Sequence, residues 1–148
     1  MSRQTDILDA LKALARAALP AADVTIIAPG DDLPAPDRIS PGGRVVIEYG
    51  DPGDPEIDLS PVAYNYEHQI PVSFAAGKAL NGNSAVVAVA TMLAAFGAAI
   101  EADRTLGGRV DYLDAAAPGI DDLFVAGATP ARSAQAVLIA IYTTTSPL

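Results

Sequence analysis

The sequence predicts an α+β fold, in which two helices pack as a single layer on a mainly antiparallel β-sheet. Three observations predict this class. Apolar residues recur at helical steps in 5–19, apolar and polar residues alternate in 64–74, and residues 84–100 contain no charged side chain. The resulting order is helix, strands, helix, strands, which differs from a chain of βαβ units. A length of 148 residues is usual for one domain, so 1–148 is expected to form a single domain.

The predicted first helix spans residues 5–19 and is amphipathic. Thr5 is expected to cap its N-terminus, acidic residues occupy the first turn, where the helix dipole favours them, and Pro20 ends the helix. A short strand is expected at 24–28. The apolar stripe of the helix consists of Ile7, Leu8, Leu11, Leu14, Ala15 and Ala18.

Residues 29–43 are predicted to form a long loop, because four prolines and three glycines stand among aspartates. Strands are expected at 44–49 and, as a shorter element, at 56–59. The alternating segment 64–74 predicts a half-buried strand, in which Pro71 marks a bend or a sheet edge.

The second helix, predicted at 84–100, is apolar on every side. Its opposite face carries only alanine, glycine and Thr91, so burial on more than one side is expected, against the first helix or a neighbouring subunit. A membrane span is disfavoured, because the segment is short, rich in alanine and lacks flanking Lys and Arg clusters. The main face carries Val89, Met92, Leu93, Phe96 and Ile100.

Strands are expected again after this helix. The glycine pair 107–108 should end the helix in the left-handed conformation. Two strands are predicted at 109–115 and 123–126, joined through a turn at 118–119. The last strand is predicted at 134–144, and because both of its faces are apolar it should be central in the sheet.

The composition limits the classes of function. Hydrophobic residues make up 51% of the chain and charged residues only 18%, which favours additional burial against neighbouring copies. The net charge is −9 and the basic residues are scattered singly, which argues against a conventional nucleic-acid-binding protein. The absence of cysteine excludes disulfides, thiolate zinc sites and cysteine nucleophiles. Charges interrupt the N-terminal apolar residues, so no signal peptide is expected and synthesis should be cytosolic.

No segment predicts catalytic chemistry. His68, the single histidine, lies in register with apolar residues of its strand and is expected in a core or interface rather than as a general base. The acidic pairs lack the spacing of a calcium loop. The glycines around Lys78 do not form a phosphate-binding GK[ST] pattern, and an ordinary helix cap at Asn83 or Ser84 is expected there. The sequence therefore predicts no catalytic, cofactor or metal site.

Three segments resemble bacteriophage tail terminator proteins: YNYEHQIPV at 64–72, EADRTLGGRVDYLDAAAP at 101–118 and AVLIAIYTTTSPL at 136–148. The resemblance extends over residues 44–148, and the first helix fits in order. In that family a helix ends in a turn of the D-x-T-L-G-G type, and the last strand ends in an aromatic residue followed by Thr. The matching positions are Asp103, Thr105, Leu106, Gly107, Gly108 and Tyr142 to Thr144.

The resemblance implies a homo-oligomeric ring, a hexamer, at the head-proximal end of a long non-contractile tail. Such a ring stops tube polymerisation and joins the tail to the head. It implies a virion protein of a phage or a gene transfer agent-like particle, made in the host cytoplasm. The partners would be other copies of the chain, the tail tube protein and head-tail connector proteins, with no membrane. DNA would pass through the lumen without specific binding, and an acidic lining suits such passage.

The resemblance is sharpest at 103–108. Gly107 or Gly108 is expected to have a positive φ, Leu106 to pack against the helix end, and Arg104 to reach free carbonyls or a nearby acid. The long loop is expected to contact a neighbouring subunit or the tube. The candidate assembly residues are therefore Asp103, Arg104 and Leu106 in the turn, and Asp31, Asp32 and Arg38 in the loop.

Two alternative hypotheses assign the chain to other classes of function. A small-molecule-binding domain would use a pocket beside Tyr64, Tyr66 and His68. An enzyme would assemble its site between subunits. Both assign the chain a ligand, whereas the tail terminator hypothesis assigns it a structural role and no cofactor.

Overall fold

Two helices and a seven-stranded sheet make up the described part of the chain. The computed structural model describes residues 2–31, 39, 42–77, 85–123 and 131–147. The helices are α1 (Arg3–Ala18) and α2 (Ala85–Ala102). The strands are β1 (Asp23–Ile27), β2 (Arg44–Glu48), β3 (Glu56–Leu59), β4 (Val62–Gly77), β5 (Tyr112–Ala115), β6 (Gly119–Leu123) and β7 (Ala131–Thr144).

The first helix begins two residues earlier than the sequence predicted. Ser2 is its N-cap, and its hydroxyl accepts a hydrogen bond from the backbone N–H of Thr5 at 3.2 Å. The prediction of Thr5 as the cap is wrong, because Ser2 offers the same hydroxyl acceptor one turn earlier. The helix ends at Ala18, and Leu19 leaves the helical conformation directly before Pro20.

Strands β4 and β7 form the centre of the sheet. They pair antiparallel without interruption from Tyr64 opposite Thr144 to Gly77 opposite Ala131. Strands β2 and β3 lie along the other edge of β4, and β5 and β6 lie along the other edge of β7. Only β1 and β2 pair in parallel among the described strands. The central position of β7 confirms the prediction made from its two apolar faces.

Pro71 lies inside the sheet and not at an edge, which corrects one of the two predicted alternatives. Beyond β2, Asp51 exchanges backbone hydrogen bonds with Gln69 at 3.0 and 2.9 Å, and an extra residue on the Asp51 side forms a bulge opposite Pro71. A bulge tolerates proline because the ladder hydrogen bonds are interrupted there. Gly50 in this bulge has a φ of 69°, and a Cβ atom would lie 1.9 Å from the carbonyl oxygen of Gln69.

Both helices cover the same face of the sheet. α2 lies on β4 and β7, while α1 lies beside α2 and reaches β1 and β2. The alternate, even-numbered residues of β4 and β7 point towards the helices, and the rings of Phe74 and Phe96 meet edge to face at 5.4 Å. This arrangement confirms the predicted α+β class and its single helix layer. The largest fully buried side chains are Phe74, Ile7, Leu8, Leu11, Ile47, Ile70, Leu113 and Leu138.

α2 packs against the sheet and beside α1, and part of its surface is exposed. Its buried residues are Ala85, Ala88, Val89, Met92, Phe96 and Ile100, and the positions between them are half-buried or exposed. The predicted contact of α2 with the first helix is confirmed. Burial of the exposed side of α2 against a neighbouring subunit stays a prediction. By length and hydropathy α2 meets the criteria for a membrane span, with 33% of its residues buried in this fold.

The strands after α2 begin at other positions than predicted. β5 begins at Tyr112 instead of residue 109, because residues 103–110 form turns. β6 spans Gly119–Leu123, so Gly119 starts a strand instead of belonging to the predicted turn at 118–119. The remainder of the predicted strand 123–126 lies outside the described residues, as do the predicted caps Asn83 and Ser84.

Candidate functional site

The turn that follows α2 is held by its own side chains. The Oδ1 atom of Asp103 accepts a hydrogen bond from the N–H of Gly107 at 3.1 Å, and the N–H of Gly108 donates to the carbonyl of Thr105 at 2.9 Å. Gly107 and Gly108 have φ angles of 68° and 92°, which confirms the predicted positive φ. The prediction that these glycines end the helix is wrong, because α2 ends at Ala102 and the glycines lie in the turn that follows it. Leu106 also has a positive φ, 48°, which is uncommon for a bulky residue. Its buried side chain, 2% exposed, holds this strained backbone in place.

Arg104 connects this turn to β5. Its Nη1 atom donates a hydrogen bond to the carbonyl of Leu113 at 3.0 Å and lies 3.6 Å from Oδ1 of Asp114. The guanidinium also lies over the ring of Tyr112, 5.3 Å from its centroid. The prediction that Arg104 reaches a carbonyl or a nearby acid is confirmed, and both partners belong to β5. Its role in assembly stays a prediction.

A groove of about 390 Å³ lies between α1 and the turn after α2. The carboxylates of Asp6, Asp9 and Asp103 line it together with Leu106 and Arg109. The Nη1 atom of Arg109 donates to the carbonyl of Leu106 at 3.0 Å. Three carboxylates against one guanidinium give the groove a negative potential that suits a basic side chain. Across the described part of the chain, no cluster of three His, Asp or Glu side chains is arranged to hold a metal ion.

The long-loop candidates are described only in part. The Oδ2 atom of Asp31 accepts a hydrogen bond from the N–H of Ala28 at 3.2 Å, and the N–H of Asp31 donates to the carbonyl of Ala28 at 3.1 Å. These two bonds close the turn after β1, so the carboxylate has a local structural role. Asp32 and Arg38 lie outside the described residues, together with most of the predicted loop 29–43.

His68 lies in the core with 0% of its surface exposed. Its Nε2 atom lies 2.6 Å from the carbonyl oxygen of Tyr49, and its Nδ1 atom lies 3.4 Å from the hydroxyl of Tyr142. A carbonyl only accepts, so Nε2 carries the hydrogen and Nδ1 accepts from Tyr142. Burial lowers the pKa of His68, opposed by the Tyr49 carbonyl and the charge of Asp51. The ring is therefore a neutral core histidine, as expected from its register.

Tyr142 extends this buried polar group towards α1. Its ring stacks on Tyr66 with centroids 5.4 Å apart, and it is 2% exposed. Burial raises the pKa of the Tyr142 hydroxyl to about 12, with a further rise from Tyr66 and an opposing effect of Arg3. Arg3 in turn donates to the carbonyl of Thr143 at 3.2 Å. These contacts close the end of the helix layer over β4 and β7.

A projecting hairpin was assigned no role in the sequence analysis. We call residues 56–65 the hairpin ribbon; it consists of β3 and the first residues of β4, and β3 pairs with β4 alone. Ile57 lies opposite Tyr64 and Leu59 opposite Val62, so these four side chains share one side, the apolar ribbon face. Leu59 is 80% exposed, Ile57 50% and Val62 48%. The alternation of Ile57, Asp58 and Leu59 was the available sequence signal, but it did not reveal exposure.

A second exposed apolar surface lies on α2. The outer α2 face is the set of exposed positions within residues 85–100, and none of them is charged. Val86 and Val87 are 42% and 48% exposed and lie next to each other near the N-terminal end of α2. The full set is Val86, Val87, Ala90, Thr91, Ala94 and Ala98.

Comparisons with protein-family models and with curated proteins found no match to this chain. The function is therefore argued from the arrangement of the molecule itself. That arrangement contains a structurally satisfied turn at the helix end, a buried histidine, one acidic groove, and two uncovered apolar surfaces.

Proposed function

We propose that this chain is the subunit of a homo-oligomeric ring, of six copies, that closes the head-proximal end of a phage tail tube. The ring stops tube polymerisation and joins the tail to the head through the tube protein and the connector proteins. The observation that carries this proposal is the pair of uncovered apolar surfaces, the apolar ribbon face and the outer α2 face. Surfaces of this kind are typical of subunits that bury them against neighbours.

The charge of the chain supports a ring through which DNA moves. The chain has eighteen acidic and nine basic residues, so a ring of six copies carries a large negative charge. Phosphate binding depends on clustered Lys and Arg, whereas like charge discourages contact between DNA and the wall of the passage. The protein would thus guide DNA without retaining it.

The buried histidine argues against the proposed small-molecule pocket. His68 has no exposed surface, and both ring nitrogens have partners inside the fold. A ligand beside Tyr64 and Tyr66 would therefore not reach the imidazole. The hypothesis of an enzyme site between subunits stays a prediction, and no described side chain favours a particular reaction.

The packing of α2 favours a soluble assembly over a membrane span. Val89 is fully buried and Phe96 is 3% exposed, where its ring meets Phe74 of the sheet. Insertion of α2 into a bilayer would remove these side chains from the core and expose β4 and β7. The exposed side of α2 is thus better explained by a protein neighbour.

The test has two parts. Native mass spectrometry and electron microscopy of the purified chain should show a closed ring with a central channel. The ring, added to growing tubes of the tail tube protein from the same particle, should shorten their final length, and heat-denatured protein serves as the control. A chain that is monomeric both in solution and in the particle, or that leaves tube length unchanged, would refute the proposal.

A further inference from the structure

We draw no further inference here: the strongest candidate, the pair of exposed apolar surfaces on the hairpin ribbon and on α2, already supports the proposed function, and nothing in the described part of the chain shows what covers either of them.

Discussion

Alkaline pH should destabilise the protein through a single tyrosine. The hydroxyl of Tyr142 is buried against Tyr66 and His68, and burial raises its pKa to about 12 from an ordinary value near 10. Above pH 10 the unfolded chain releases this proton, whereas the folded chain retains it. The stabilisation by Tyr142 is therefore fully present below pH 10 and is lost as the pH rises towards 12.

The size of the effect follows from the pKa difference. Two units correspond to about 3 kcal/mol of unfolding free energy when the titration is complete. At pH 11, where the unfolded tyrosine is mostly ionised, the loss should be about 1 to 2 kcal/mol. Tyr142→Phe removes this ionisation. It also removes the long hydrogen bond to His68, which should cost about 1 kcal/mol at pH 8.

Urea unfolding of both proteins at pH 8 and pH 11 tests the argument. Tyr142→Phe should be less stable than the natural chain at pH 8 and equal to it or more stable at pH 11. Tyr112→Phe is the matched control, since Tyr112 is 44% exposed, and it should retain the full alkaline loss. If the difference in unfolding free energy between Tyr142→Phe and the natural chain is the same at both pH values, the reasoning is wrong.

Three further predictions concern substitutions of single residues. Because burial lowers the pKa of His68, unfolding free energy should fall as the pH drops below about 6.5, and His68→Gln should flatten this acid limb in urea titrations. Gly108→Ala should lose about 1 kcal/mol at a φ of 92°, whereas Gly97→Ala inside α2, with open space around the new methyl group, should gain about 0.5 to 1 kcal/mol; equal shifts in melting temperature would contradict this. Arg104→Ala should lose about 1 kcal/mol with its hydrogen bond to Leu113, and unchanged melting would show that this contact contributes nothing.

The elements with a strong period could be predicted from the sequence. The alternation in 64–74 correctly identified β4, and the apolar 134–144 segment correctly identified β7 as central. The ends of the helices and strands were predicted less accurately, because local hydrogen bonds determine where an element begins and ends. Because Ser2 caps α1, the helix begins two residues before the predicted start. Hydrogen bonds of Asp103 and Thr105 hold the residues after α2 in turns, so β5 begins at Tyr112 and not at residue 109.

The turn after α2 could be predicted in part. Two adjacent glycines indicate left-handed backbone, and both have it. The positive φ of Leu106 has no sequence signal, because a leucine adopts it only when tertiary burial compensates the strain. The partner of Arg104 could be predicted as a carbonyl or an acid, but its identity required the fold, since Leu113 is brought alongside by pairing of β5 with β7.

The low fraction of charged residues predicted that the chain buries additional surface against neighbours, but it did not predict where that surface lies. In a linear sequence Leu59 and Val87 have the same apolar character as core residues, and exposure depends on which element ends up above them. The helix layer stops at Tyr66, so the strand pattern that makes a core at Ile70 makes an exposed surface at Leu59. Likewise α1 packs beside α2, and Val86 and Val87 are 42% and 48% exposed. The chain thus completes its core on one side of the sheet while apolar side chains of the hairpin ribbon and of α2 stay exposed at two separate positions. Burial of both sets of side chains would require a neighbouring molecule at each position, which is why the proposed function assigns the chain to an assembly.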